Sequence, residues 1–260
     1  MSTIKVNNIE SYTPGNPLNV NDELQITGSS AIGERSFAHS RFGKASGSYS
    51  HAEGYGGQSL GDYSHAEGLS TKAGQSNEVL EGVGAHSEGE WANALGRASH
   101  AEGYNATASA RYTHAEGYRT WAGVSGNTGR YSHAEGYLTQ TKGQAAHAEG
   151  RETTASGDYS HTEGRLTHAT HSYSHAEGYY TITDAAYQHV QGRYNATSSG
   201  SNAFMVIGNG NSTSDRRNLA EFHRRAFIFD TGSIPTSDPG VLGQLYRTGS
   251  NRDEIKISFG

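Results

Sequence analysis

The chain has 260 residues, no cysteine, and a net charge of −6 with its basic residues scattered, which rules out disulfides and thiolate metal sites and gives no surface for nucleic acid or an anionic membrane. Only 36 of 260 residues, about 14 per cent, are Leu, Ile, Val or Phe, while glycine reaches 35 and tyrosine 16. Such sparse apolar content normally accompanies disorder, but neither a high net charge nor a shortage of aromatics goes with it here, and a strict repeat offers another route to order.

Residues 1–30 lack that repeat. The opening "MSTIKVNNIE" does not have the basic-then-apolar order of a secretory signal, and no apolar run approaches the ~18 residues of a membrane helix. The expectation is a chain neither exported by that route nor anchored in a bilayer. "PGNPLNVNDELQITGSS" reads as a loop followed by a short alternating strand.

From residue 31 to about 200 one phrase recurs. His-x-Glu-Gly occurs nine times, as His51/Glu53, His65/Glu67, His86/Glu88, His100/Glu102, His114/Glu116, His133/Glu135, His147/Glu149, His161/Glu163 and His175/Glu177. Degenerate copies flank it around His39 ("FAHSRFG") and His189 ("YQHVQG"). Spacings from His39 to His189 are 12, 14, 21, 14, 14, 19, 14, 14, 14 and 14, so the period is fourteen, with seven residues added before His86 and five before His133. Each period divides into two sevens of small-x-small-x-small-x-x, as in Ser99, Ala101, Gly103, then Ala106, Ala108, Ala110.

Alternation at period two predicts strands, and two short strands per fourteen residues predict a narrow β-solenoid with Ser, Ala, Thr and Gly lining its interior. Proline is absent between Pro17 and Pro235, as an unbroken backbone ladder requires. On the outer face Tyr131, His133 and Glu135 share one parity, and tyrosine stands two places before the histidine in seven rungs. Stacked rungs therefore predict columns of Tyr, His and Glu. Between residues 39 and 200 only 12 of 162 residues are Leu, Ile, Val or Phe, too little apolar area for a lone roll, so several rolls should pack through those columns.

The texture changes near residue 201. "AFMVIG", "RRAFIFD" and "EIKISFG" read as apolar strands, with Asp238-Pro239-Gly240 as a turn, and the whole as a β-rich C-terminal cap over the exposed end of the roll.

Ser-His-Ala-Glu-Gly followed by small-x-small-x-Gly resembles the Ser-Val-Ala-Ile-Gly repeats in YadA-like heads of trimeric autotransporter adhesins. It resembles more closely the SHAEG-repeat proteins of bacteriophage tails and appendages. The resemblance covers about residues 31–200 and implies a left-handed parallel β-roll trimerised about a common axis, with the His/Glu pairs above, other than His86/Glu88, at the trimer interface. His and Glu stand where the adhesins place Val and Ile, which makes that interface polar. Residues 1–30 resemble the leaders of phage fibre proteins, which implies docking to tail, baseplate, collar or capsid proteins of a virion. "IPTSDPGVLGQLYRTG" resembles a closing phrase of phage structural proteins. The expected role is a virion fibre, spike or appendage touching a host-surface glycan or protein. The alternative is the head of a bacterial cell-surface adhesin.

Catalysis by His and Glu is disfavoured, since nine equivalent pairs form a column and an active site is one constellation; no Gly-x-Ser-x-Gly, P-loop or His-Glu-x-x-His motif occurs. No enzyme activity and no cofactor are expected. Imidazole and carboxylate are metal ligands, but plain His–Glu pairing across an interface is the preferred reading. "VIGNGN" lacks the third glycine of a phosphate loop and reads as a turn, and His168 and His171 lie off the main column as surface residues. Trp91 and Trp121 are the candidate receptor contacts, with Trp121 in the interval lengthened by five. If the columns meet at a trimer axis, each imidazole has carboxylates nearby from its own and neighbouring chains, so its folded pKa is expected to rise and stability to peak in mildly acidic solution.

Overall fold

A computed structural model describes residues 30–75, 82–126, 128–197, 203–229, 240–241, 244–248 and 254–257. Residues 1–29 of the segment 1–30 expected to dock to a virion, most of the first insertion and Asp238-Pro239 lie outside the described residues. The described residues are all-β without a helix, and the repeats form a parallel β-solenoid. Two compact units divide at Glu152/Thr153.

In the first unit one sheet holds Phe37–Arg41, His51–Tyr55, His65–Leu69, His86–Glu90, His100–Tyr104, His114–Tyr118, His133–Tyr137 and His147–Ala148, each parallel to the next. The opposite sheet holds Ser30–Ala31, Lys44–Ala45, Gln58–Ser59, Lys72–Ala73, Asn93–Ala94, Thr107–Ala110, Trp121–Gly126 and Gln140–Thr141. The register is in phase with the repeat: His100 faces His114, Ala101 faces Ala115, Glu102 faces Glu116. It also corrects one reading. Phe37 pairs with His51 and His39 with Glu53, so Phe37 occupies the histidine column and His39 the glutamate column. The spacing of 12 was a change of column, and the period of fourteen extends back to Phe37.

The interior is as small as predicted. Ala52, Ala66, Ser87, Ala101, Ala115, Ala134 and Ala148 are fully buried from one sheet, and Ala45, Ser59, Ala73, Ala94, Ala108, Ala122 and Thr141 from the other. The motif serine closes a corner: Ser99 Oγ donates to Gly96 O and Ser132 Oγ to Gly129 O, both at 2.7 Å, so these buried hydroxyls are satisfied locally. The motif glycine does not line the interior as the alternation suggested. Gly103 is exposed, with φ +102, and a Cβ there would collide with the carbonyl oxygen of Gly117 on the next rung. Glycine is needed for close backbone approach.

The second unit repeats the pattern with Thr154–Ala155, His168–Ala169 and Ile182–Thr183 in one sheet and His161–Thr162, His175–Ala176 and His189–Arg193 in the other. Ala203–Asn209 then extends the second of these in parallel register, with Val190 opposite Val206, and Asn218–His223 and Phe227–Phe229 add antiparallel. "VIGNGN" is therefore strand to Asn209, followed by a Ser212/Asp215 turn. Leu245–Thr248 and Glu254–Ile257 form a separate antiparallel pair.

Candidate functional site: the tyrosine, histidine and glutamate columns

Parallel strands lie about 4.8 Å apart, and an in-phase register hands that spacing to the side chains. From His51 to His147 successive imidazoles stack at 4.6–5.0 Å with planes within 5° of parallel. In the second unit His161, His175 and His189 stack at 4.6 and 4.7 Å. The tyrosines two places earlier form their own stack, Tyr49 on Tyr63 at 5.2 Å and Tyr112 on Tyr131 at 5.1 Å. They are not strand residues, however: Tyr131 has φ +61, and the same left-handed corner recurs at Ala98 and Ala145. A bulky residue there is unusual. The amide of Tyr112 is turned to the carbonyl of Arg97 on the preceding rung at 2.9 Å, which helps hold the conformation.

Within the rungs, an imidazole presents Nε2 between two carboxylates, its own rung's and the preceding one's. His65 lies 3.6 Å from Glu53 Oε1 and 3.7 Å from Glu67 Oε2. His100 lies 4.0 Å from Glu88 and 3.9 Å from Glu102. In the second unit His175 is 3.2 Å from Glu163 and His189 3.3 Å from Glu177. These side chains are about a third exposed, yet Nε2 of His65, His86, His100, His114 and His133 is shielded from solvent and makes no hydrogen bond.

The last rung of the first unit has a shorter strand. Glu135 lies within the strand His133–Tyr137, but the strand of the next rung is only His147–Ala148, so Glu149 falls just beyond its end, half-buried. His147 Nε2 stands 3.6 Å from Glu135 Oε1 of the preceding rung. His147 thus meets the glutamate of the preceding rung, and Glu149 stands just after its strand at the last rung of the first unit.

Within the single chain the protonation balance runs opposite to the rise expected at a trimer interface. At His65, His100, His133 and His175 burial, followed by the two neighbouring imidazoles, lowers the pKa from 6.5 despite the flanking glutamates. Stacking places two potential cations beside each ring, and together with lost hydration they outweigh the carboxylates. At Glu163 burial acts upward, but the hydrogen bond from Glu177 and the charges of His175 and His161 hold the carboxyl below its ordinary value.

Along the foot of the glutamates runs an open groove, with Glu53, Glu67, Glu88 and Glu102 as one wall and the motif glycines as floor. Beyond the glycines Tyr104, Tyr118 and Tyr137 stack at 4.9 Å, and Trp91 meets Tyr104 edge-on at 5.2 Å. Trp91 sits at a left-handed corner, φ +56, while Trp121 projects from the opposite sheet between Thr107 and Gln140. Both are exposed, but they belong to different columns and do not form one site. His168 lies on the second unit's opposite sheet between Thr154 and Ile182, and His171 hydrogen-bonds Thr170.

Both insertions leave the same corner and are closed by glycine pairs at positive φ, Gly74 with Gly82 and Gly123 with Gly129. A Cβ on Gly129 would stand 2.7 Å from the Cα of Gly123. Reading the sequence for repeats alone misses these closures; glycine on both sides of each added segment was the available signal.

Compared with known proteins, the chain matches no family model, and no curated protein matches it.

Proposed function

We propose that the chain is a non-enzymatic structural protein, a β-solenoid that assembles as a homotrimer through its Tyr–His–Glu face and serves as a fibre, spike or appendage of a bacteriophage virion. The carrying observation is the face itself: a strictly periodic array of half-exposed aromatic and ionisable side chains over an interior of Ala, Ser and Thr. So little buried apolar area leaves a lone roll marginal, and burying stacked tyrosines against other copies adds what the interior lacks. Repetition of one His/Glu pair in rung after rung supports a structural use over a single reactive centre. The virion assignment rests on the resemblance of the repeats to phage appendage proteins.

Two measurements test the reading. Sedimentation equilibrium should give three chains per particle, and a folded monomer at micromolar concentration overturns the assembly. Electron microscopy with gold-labelled antibody should mark virions; label on the bacterial surface instead assigns the chain to an adhesin head.

A further inference from the structure

The geometry points to a divalent transition-metal site on alternate rungs, built at Glu53–His65–Glu67 and again at Glu88–His100–Glu102, with one imidazole Nε2 and one oxygen from each of two successive glutamates as protein ligands. All three ligands of each site come from one chain, so the inference stands apart from the number of chains in the particle.

Distances carry it first. A charge-assisted hydrogen bond brings nitrogen and oxygen to about 2.7–2.9 Å. The gaps around His65 are 3.6 and 3.7 Å, and those around His100 are 4.0 and 3.9 Å. Two ligands bound at about 2.0–2.1 Å to a tetrahedral ion stand about 3.4 Å apart. His65 and its glutamates are thus too far apart to hydrogen-bond and close to the edge of a coordination tetrahedron. His100 needs its glutamates to close by about half an ångström, within reach of a flexible side chain.

Ring geometry then fixes which groups share an ion. His65 and His86 stack at 4.9 Å with planes 2° apart. An ion midway between their nitrogens would be more than 2.4 Å from each, beyond an imidazole bond of about 2.0–2.1 Å, and out of both ring planes. Neighbouring histidines cannot chelate together; the converging pair at each imidazole is carboxylates. The glutamates divide their oxygens accordingly, since Glu53 offers Oε1 to His65 and Oε2 to His51.

Charge sets the period. Each rung supplies one carboxylate, so two rungs neutralise one dication, while an ion on every rung would leave a surplus positive charge per rung. Imidazole coordinates in its neutral form. One imidazole, two carboxylates and an open fourth position suit zinc and its neighbours better than calcium or magnesium, which prefer all-oxygen shells.

The test uses the full, untagged chain stripped with EDTA. Titration with Zn²⁺ by calorimetry should show saturable binding, and Co²⁺ should give the intense visible bands of tetrahedral coordination. The variant E53Q/E67Q/E88Q/E102Q keeps the histidine stack and should bind two fewer ions per chain, one for each site. Absence of saturable binding, or an unchanged stoichiometry in the variant, overturns the proposal. Should the variant not fold, X-ray absorption on the zinc-loaded wild type decides: one imidazole per zinc in an N/O shell supports the sites, and two or more overturn them. Sedimentation in EDTA reads assembly separately, so a metal-free trimer refutes only the sites and a zinc-loaded monomer refutes only the trimer.

Discussion

The repeating rungs of the first unit and the last strands of the second solve the same packing problem with different residues. In the first unit the inward position that follows the histidine column is Ala at every rung from Ala38 to Ala148 except Ser87, all fully buried. In the second, successive inward positions read Thr162, Ala176, Val190 and Val206, and Val190, Ala203 and Val206 form a cluster of their own. Larger inward side chains appear where the repeat ends, just before the strands turn antiparallel. In the rungs, order comes from register and backbone bonding, with side chains kept out of the way; at the last strands it comes from apolar volume in the ordinary manner.

The packing of the rungs is most sensitive at a glycine. Gly103→Ala combines φ +102 with a collision against the carbonyl of Gly117, a backbone atom that cannot step aside. Strain alone is worth about 1–3 kcal/mol, so thermal denaturation should show the largest loss of any single change here. Next comes bore size. Ala134→Leu overpacks a fully buried position and should cost about 1–3 kcal/mol per chain, whereas Val190→Ala removes volume and should cost about 1–2 kcal/mol by leaving a cavity. Equal melting temperatures for Ala134→Leu and wild type would mean the rungs are not close-packed.

Acid should act more gently, and with a definite sign. Lowered folded pKa values at His65, His100, His133 and His175 mean that neutral imidazoles contribute stability above the unfolded value of about 6.5, lost as pH falls through the folded values. Glu163, also lowered, contributes above about 4.3 and loses its share below it, so both limbs run the same way. Melting temperatures measured in EDTA should fall steadily from pH 7 to pH 4. A maximum between about pH 4.5 and 6.5 would restore the opposite balance of charge over burial. The smallest effect belongs to deletion of Gln75–Glu81. It joins Gly74 to Gly82 and recreates the spacing of Ala94-Leu95-Gly96, so stability measured by thermal melts should stay within about 0.5 kcal/mol.

Repetition made the solenoid legible, because a fourteen-residue period with two alternating sevens leaves few other ways to satisfy a backbone so poor in apolar side chains. It made the histidine, glutamate and tyrosine columns legible for the same reason. What failed was whatever depended on a single rung or on three-dimensional proximity. Phe37 carries no motif histidine, so His39 two places on was mistaken for it. Gly103 alternates with Ala101 but turns outward at positive φ, a conformation that small size alone does not reveal. The direction of the histidine shifts depended on ring stacking, and one motif shows only its own glutamate, not the imidazoles above and below.

Both insertions depart from one corner, the first between Gly74 and Gly82 and the second between Gly123 and Gly129, three rungs apart. At about 4.8 Å per strand their roots are about 14 Å apart along one edge, fixed by the register and independent of what the loops contain. The rungs thus act as a ruler. Sequence can be exchanged in either loop without moving the other, and adding or removing a fourteen-residue unit between them would change their separation in whole steps. A chain of this kind sets the spacing of two insertion points by counting residues.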